Sequence, residues 1–414
     1  MNNYFIKLQS RVDKYNRKYH NRPRKAAFKL MVWNLKCLLK KHKIKTQSET
    51  TQRKDSSNFP GKMELKNSPL NIGFSMYGGL GDQLIAINYL KKFKNYNGLK
   101  NSFFTIYASN TELVKSLLPK ELLGIHMIQS NGDDITAENY DLFIQLIRFP
   151  EVCFYCEERI KKFPRLLDIV KKYNVFREHN YDIVSRDWRL GDSIVNMFCL
   201  NKGKSRLQQP DIDEIIGIQK SFSITPNISL NEKTVLKKFN LDGKKFITVN
   251  RNTDLSHYKE STKLWPVEYY NELIKLIREK YKDYIFVQLG VSEERCPSFS
   301  AIDINLIGQT SLEDLKVVLK NATLHIDNEG GLMHLRRALT DKKSLVLFGP
   351  TDVKVYGYDN NINLKMPVCP IACEWLTKDW NTVCMKTNCS VASCMQQLTP
   401  EFVFAQIQKS EVLK

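Results

Sequence analysis

The sequence predicts an α/β protein built from two doubly wound domains, and three observations predict it. Apolar runs of strand length alternate with helical segments from residue 70 to about 173. That alternation stops over the poorly patterned residues 201–235 and resumes at KFITVN, 245–250. A chain of 414 residues also suits two domains, each able to bury a core. Strand–helix alternation is the pattern of a parallel sheet covered by helices on both faces. The domain boundary is expected near 225–240, giving an extension and linker over 1–68, a first domain over 69–235 and a second over 236–414.

The elements follow in order. Residues 1–45 carry Phe28, Val32, Leu35 and Leu39 at helical spacing among basic residues, with Trp33 between them. This suits a basic amphipathic helix lying on an anionic membrane surface or a solvated helix packed on a partner. Residues 46–68 are polar and turn-rich and read as a linker. LNIGFSMY (70–77) reads as a buried strand, followed by Gly78-Gly79-Leu80-Gly81-Asp82 and a helix from about Gln83 to Phe93. FFTIYA (103–108), GIHMIQ (124–129) and YDLFIQLI (140–147) read as further strands, and helical segments follow over 157–173. In the second half, KFITVN and YIFVQLG (284–290) are strands, and a helix starts with Pro266 in its first turn. SLEDLKVVLKNA is a helix with Ser311 as N-cap, and LHID, a helix after Gly331, SLVLFGPT and a last helix over 400–408 complete the pattern. No internal repeat is short enough for a solenoid.

Composition narrows the function classes. The net charge is +19, but residues 1–45 hold fourteen Lys and Arg against Asp13 alone, a net +13 that leaves +6 for the rest. The basicity therefore belongs to an arm, and the body shows no nucleic-acid module, so no nucleic acid is expected as a partner. No run of about 18 apolar residues exists, and no continuous apolar stretch follows the first charges as in a secretory signal. A cytoplasmic protein is expected, peripheral on the inner membrane face if the arm binds lipid.

Three stretches carry chemistry. In ATLHIDNEGGLMHLRRAL (322–339) a strand ends in an acidic turn, then two glycines open a helix. Paired glycines allow close backbone approach, and the unpartnered N–H groups of a helix start attract anions, phosphate above all. Glu329 beside them would hold sugar or ribose hydroxyls, although the same pattern also describes an ordinary strand-to-helix turn. The glycine turn at 78–82 is no dinucleotide fingerprint, because Leu84 stands where a third glycine belongs, and it lacks the lysine of a P-loop. It leaves Asp82 at a helix start on the carboxyl edge of the first strand, as an N-cap or as a general base. The loop NRNTDLSHYKESTKLWP (250–266) is rich in hydroxyls and cations. Lys263 there would neutralise a leaving diphosphate, with Asn252 and Thr253 donating hydrogen bonds, unless it is simply solvated.

GGLGD at 78–82, KLWPVEYYNEL at 263–273, LIGQTSLEDLKVVLKNA at 306–322, EGGLMHLRRAL and LFGPT at 347–351 together resemble the family-9 glycosyltransferases, the ADP-heptose heptosyltransferases. The resemblance covers about 70–408 and is strongest in the second half. It implies a GT-B fold, two Rossmann-like domains facing across a cleft, acceptor on the first and nucleotide-sugar on the second. It also implies inverting, metal-independent transfer with no cofactor required. Carried over, Asp82 is the catalytic base and Lys263 contacts the donor phosphates. Gly330 and Gly331 offer backbone N–H groups to the diphosphate, and His334 lies in the first helical turn beside them. The family usually has Asp-Thr/Ser-Gly where this chain has Glu329-Gly330-Gly331, which leaves the donor's base and sugar open.

Five of the ten cysteines, Cys369, Cys373, Cys384, Cys389 and Cys394, lie within 26 residues, spaced C-x3-C-x10-C-x4-C-x4-C. This departs from paired C-x2-C zinc spacing, and both a cysteine-bound metal and unmetallated thiols stay open. Some relatives that modify autotransporter proteins bind iron through such a segment. Three functions compete: heptosyl transfer from ADP-heptose or another nucleotide-sugar to an envelope glycolipid of the lipopolysaccharide type, heptosyl transfer to a protein hydroxyl, and a non-catalytic nucleotide-sugar-binding scaffold. Retention of Asp82 together with Lys263 favours an enzyme, because a scaffold needs neither.

Overall fold

The computed structural model describes residues 69–130, 139–146, 148–181, 188–251, 261–292, 296–367 and 392–414, with side chains omitted over 188–194. The basic extension 1–68, the donor-loop candidates Asn252 and Thr253, and Cys369, Cys373, Cys384 and Cys389 of the cysteine cluster lie outside the described residues.

Two Rossmann-like sheets are present, as expected. The first contains β1 (Asn71–Met76), β2 (Phe103–Ala108), β3 (His126–Gln129), β4 (Leu142–Leu146) and β5 (Pro150–Tyr155), in the order β3-β2-β1-β4-β5. Its strands are parallel except β5, which runs antiparallel to β4. The sequence reading missed β5 because Pro150 and the mixed exposure of the strand hide its alternation. Helices α1 (Leu80–Tyr96), α2 (Thr111–Leu117), α3 (Glu157–Ile160), α4 (Pro164–His179) and α5 (Trp188–Asn201) belong to this half. The first helix begins at Leu80, three residues earlier than its apolar pattern suggests.

After α6 (Glu232–Lys238) the second sheet contains β6 (Lys245–Asn250), β7 (Tyr284–Leu289), β8 (Ile304–Asn305), β9 (Leu324–Asn328), β10 (Ser344–Phe348) and β11 (Ile362–Lys365). All are parallel, in the order β11-β10-β9-β6-β7-β8. Their apolar residues are buried on both faces, which explains their near-continuous hydrophobic runs. The intervening helices are α7 (Val267–Lys280), α8 (Leu312–Asn321), α9 (Gly331–Leu339) and α10 (Val353–Tyr356), and α11 (Ser393–Gln396) and α12 (Pro400–Lys409) close the chain. Pro266 is the N-cap of α7 and not its first helical residue. Ser311 caps α8 as expected, its Oγ accepting from the Asp314 N–H at 3.1 Å while Asp314 accepts from the Ser311 N–H at 3.1 Å.

Both sheets fall within one compact unit, Pro69–His179 with Asp192–Lys414. A continuous core joins β1 and α1 to α8, α9 and one face of the second sheet. A buried lysine fixes the chain crossing between the halves. Lys316 on α8 is fully buried and donates to the carbonyls of Ser116 at 2.7 Å and of Asn227, and pairs with Glu313 at 2.5 Å. Glu313 in turn accepts the Ser229 N–H at 3.0 Å. A buried ammonium with this many oxygen partners is compensated, and removing them would leave it stranded. Among the described residues, no helix is long and apolar enough to cross a membrane.

Candidate active site

The site forms where two helix starts meet. Gly79 is the N-cap of α1, and Asp82 is the third helical residue, so the N-cap alternative for Asp82 does not hold. Its Oδ2 instead accepts the Gly79 N–H at 3.2 Å, the reciprocal half of a capping box. Gly78 adopts a φ of +105°, and a Cβ there would lie 2.6 Å from Asp82 Oδ2. Only glycine fits that turn on both counts. At the facing start of α9, Gly331 lies so near α1 that a Cβ would meet Leu80 Cβ at 3.3 Å. A Cβ on Gly81 would sit 2.7 Å from the His334 ring. Gly331, read from the sequence as a phosphate-approach position, therefore also lets the two helices touch, as does Gly81.

Two carboxylate–cation pairs flank this contact. On the first half, Asp82 Oδ1 accepts from Arg206 Nη2 at 2.6 Å, with the Asp82 side chain 40% exposed. Arg206 follows α5 in the segment with no clear pattern. Its backbone N–H donates to the Val355 carbonyl at 2.7 Å, and its other guanidinium nitrogen to Gln209. A small surface cleft opens beside Asp82, lined by Ile85, Leu146, Arg148, Arg206 and Pro210. On the second half, Lys263 pairs with Glu329, whose side chain is only 4% exposed. Glu329 also accepts from Thr351 Oγ at 3.0 Å. Lys365 holds that neighbouring turn by donating to the carbonyls of Gly349 at 2.7 Å and Thr351 at 2.5 Å.

His334 joins the two sides. Its Nδ1 lies 2.6 Å from the Tyr358 hydroxyl, and the two rings meet edge-on. Burial pushes its pKa down to about 4, although the charges of Glu329 and Asp82 pull upward and those of Arg206 and Lys263 downward. The imidazole is therefore neutral near pH 7, a hydrogen-bonding group and not a third cation.

A buried polar chain crosses from β6 to β9. Thr248 Oγ lies 2.9 Å from His325 Nδ1, His325 Nε2 lies 3.3 Å from Asp327, and Asn250 Nδ2 donates to Asp327 at 2.7 Å. Burial raises the Asp327 pKa. Arg251 donates to the Trp265 carbonyl at 2.7 Å, tying together the chain on either side of 252–260. The structure thus brings Asp82, Lys263, Glu329, Gly330, Gly331 and His334 to one place. The sequence reading overlooked Arg206, Arg148, Thr351 and Tyr358. LFGPT signalled Thr351 within its motif, whereas nothing local marks Arg206. Among the described residues, no group of three His, Cys, Asp or Glu side chains is disposed to hold a metal.

Residues 214–391 match the family model "Glycosyltransferase family 9 (heptosyltransferase)". Lipooligosaccharide heptosyltransferase 2 of Haemophilus ducreyi is 33% identical over 102 residues, 22% of this chain and 28% of that protein's length. Among solved structures, ADP-heptose lipopolysaccharide heptosyltransferase II of E. coli superposes with a TM-score of 0.50 at 14% identity, covering 82% of this chain and 98% of that one. The iron-containing dodecameric glycosyltransferase TibC of enterotoxigenic E. coli gives 0.51 at 11% identity, covering 83% and 76%. These two likenesses show the GT-B fold. The similarity to glycosyltransferase family 9, the heptosyltransferases, thus lies over residues 214–391.

Proposed function

We propose that the protein is an inverting glycosyltransferase that moves a heptose from ADP-heptose to a hydroxyl of an envelope glycolipid of the lipopolysaccharide type. The observation that carries this reading is the pairing of two carboxylate–cation walls around one helix contact, within a chain similar to family 9 over residues 214–391. On this reading residues 69–235 form the acceptor half and residues 236–414 the donor half. Asp82, on the open wall, takes the proton from the acceptor hydroxyl as its oxygen bonds to the anomeric carbon. The bond from that carbon to the phosphate oxygen breaks on the opposite face, and the electron pair leaves with ADP.

Lys263 and the N–H groups at Gly330–Gly331 balance the charge that develops on the departing diphosphate. Glu329, held by Lys263 and Thr351, accepts hydrogen bonds from sugar hydroxyls. His334, neutral and fixed by Tyr358, offers a ring nitrogen between the two substrates. The charge on the leaving group is met by lysine and backbone, so the step needs no metal. The same chemistry would serve a second acceptor, a protein hydroxyl.

The test is ADP release from ADP-heptose in the presence of heptose-deficient lipopolysaccharide, with UDP- and GDP-sugars as controls. ADP release that depends on the lipid acceptor supports the reading. Turnover of a UDP- or GDP-sugar instead, or acceptor-dependent release with protein only, would replace the donor or the acceptor named here. No turnover and no stabilisation by any nucleotide would return the chain to the scaffold reading.

A further inference from the structure

Asp82 is engaged at both of its oxygens. One carboxylate oxygen accepts a backbone N–H and the other accepts from Arg206. A carboxylate has about four lone-pair sites, and these two partners fill one on each oxygen and fix its orientation, so a hydroxyl can approach only from the directions they leave open. Arg206 is also unusual in its anchorage. Its main chain is tied to Val355 of the second half, its side chain to Gln209 and to Asp82 of the first. The guanidinium is mostly covered, at 13% exposure, whereas the carboxylate it holds is open to the cleft. Arg148 lines the same cleft, so two cations face one carboxylate there.

We propose that Arg206 is a positioning residue that keeps Asp82 engaged until an acceptor brings an anionic group beside its reacting hydroxyl. The inference rests on the reading of Asp82 as the base. The anion, whether phosphate or carboxylate, takes over the Arg206 guanidinium with help from Arg148. Asp82 Oδ1 then accepts the hydroxyl proton as the new glycosidic bond forms and the bond to ADP breaks. With no such acceptor, the engaged carboxylate is poorly placed to activate water, and the donor is spared hydrolysis to free heptose and ADP. A purely structural tie between the halves would predict the opposite effect of its loss, a fall in every rate.

The experiment measures ADP release from ADP-heptose without lipid acceptor, for the wild type, Arg206→Gln, Arg206→Lys and Gln209→Ala, with ADP affinity measured in parallel. Small probes, glycerol 3-phosphate against glycerol, supply a hydroxyl with and without an anion. The wild type is expected to hydrolyse slowly and to respond to glycerol 3-phosphate but not to glycerol. Arg206→Gln is expected to raise the basal rate about tenfold, the loss of one charge-assisted restraint on the carboxylate, and to lose the discrimination between probes. Arg206→Lys should restore part of it, and Gln209→Ala should shift the same way by less. Variants that bind ADP normally yet hydrolyse no faster than the wild type would overturn the latch alone. A wild type that binds no ADP would overturn the glycosyltransferase reading and the latch with it.

Discussion

Asp82 and Glu329 both stand at glycine-lined helix starts and both carry a cation, Arg206 and Lys263, yet one pair is open and the other is enclosed. Asp82 is 40% exposed, Glu329 only 4%. An open pair in high dielectric contributes about 1 kcal/mol or less to stability, so its geometry is free to serve chemistry and exchange. An enclosed pair contributes little net stability but is costly to break, about 3–5 kcal/mol when one partner is removed. On the proposed function, the Asp82 wall would face the acceptor and is built to change partners, and the Lys263 wall would face the donor and is built to hold still. A base must meet and release a proton at each turnover, whereas a diphosphate site works best when its charges are fixed in advance.

Four changes would break or sharpen that contrast. Glu329→Ala should have the largest effect on stability, about 3–5 kcal/mol, because it removes from an enclosed site the carboxylate that Lys263 and Thr351 share. Urea unfolding should show this as a lowered midpoint at unchanged slope.

His334 comes next. Its native pKa of about 4 lies below the ordinary 6.5, so between those values the unfolded chain takes up a proton that the native state refuses. Stability should therefore fall as pH drops through that window, by about 3 kcal/mol in all. His334→Gln should flatten this part of the curve, and an unchanged acid slope would show that other groups govern it.

Gly81→Ala should cost about 1–3 kcal/mol through overpacking against the His334 ring, visible as a lower melting temperature. Asp82→Asn should be the mildest for stability, below about 1 kcal/mol. Its cost should instead fall on transfer, by about a hundredfold or more, measured as acceptor-dependent ADP release.

The same contrast governs how much of the molecule was legible in advance. Both sheets and most of their strands announce themselves through apolar runs, and FFTIYA at 103–108 and KFITVN at 245–250 match β2 and β6 residue for residue. The antiparallel β5 and the short β8 do not, because partial exposure and shortness erase their periodicity. The donor wall was readable because Lys263 and Glu329 each sit beside a glycine or Trp-Pro signal. The acceptor wall was half readable. Asp82 has its glycine turn, but Arg206 lies 124 positions away in a stretch without pattern, and only folding brings the two together. The same holds for the chain from Thr248 through His325 and Asp327 to Asn250, whose members look like ordinary strand residues until β6 and β9 pair in register.

The most direct test of the divided site is ADP binding by calorimetry to the wild type, Lys263→Ala and Asp82→Asn. A ligand that binds only the folded protein also raises its melting temperature, which gives a second readout. Lys263→Ala is expected to weaken ADP by at least about tenfold, the scale of one charge-assisted contact, while Asp82→Asn binds ADP as the wild type does and transfers sugar about a hundredfold or more slowly. Equal losses in both variants, or undiminished ADP binding in Lys263→Ala, would contradict the assignment of donor and base to separate walls.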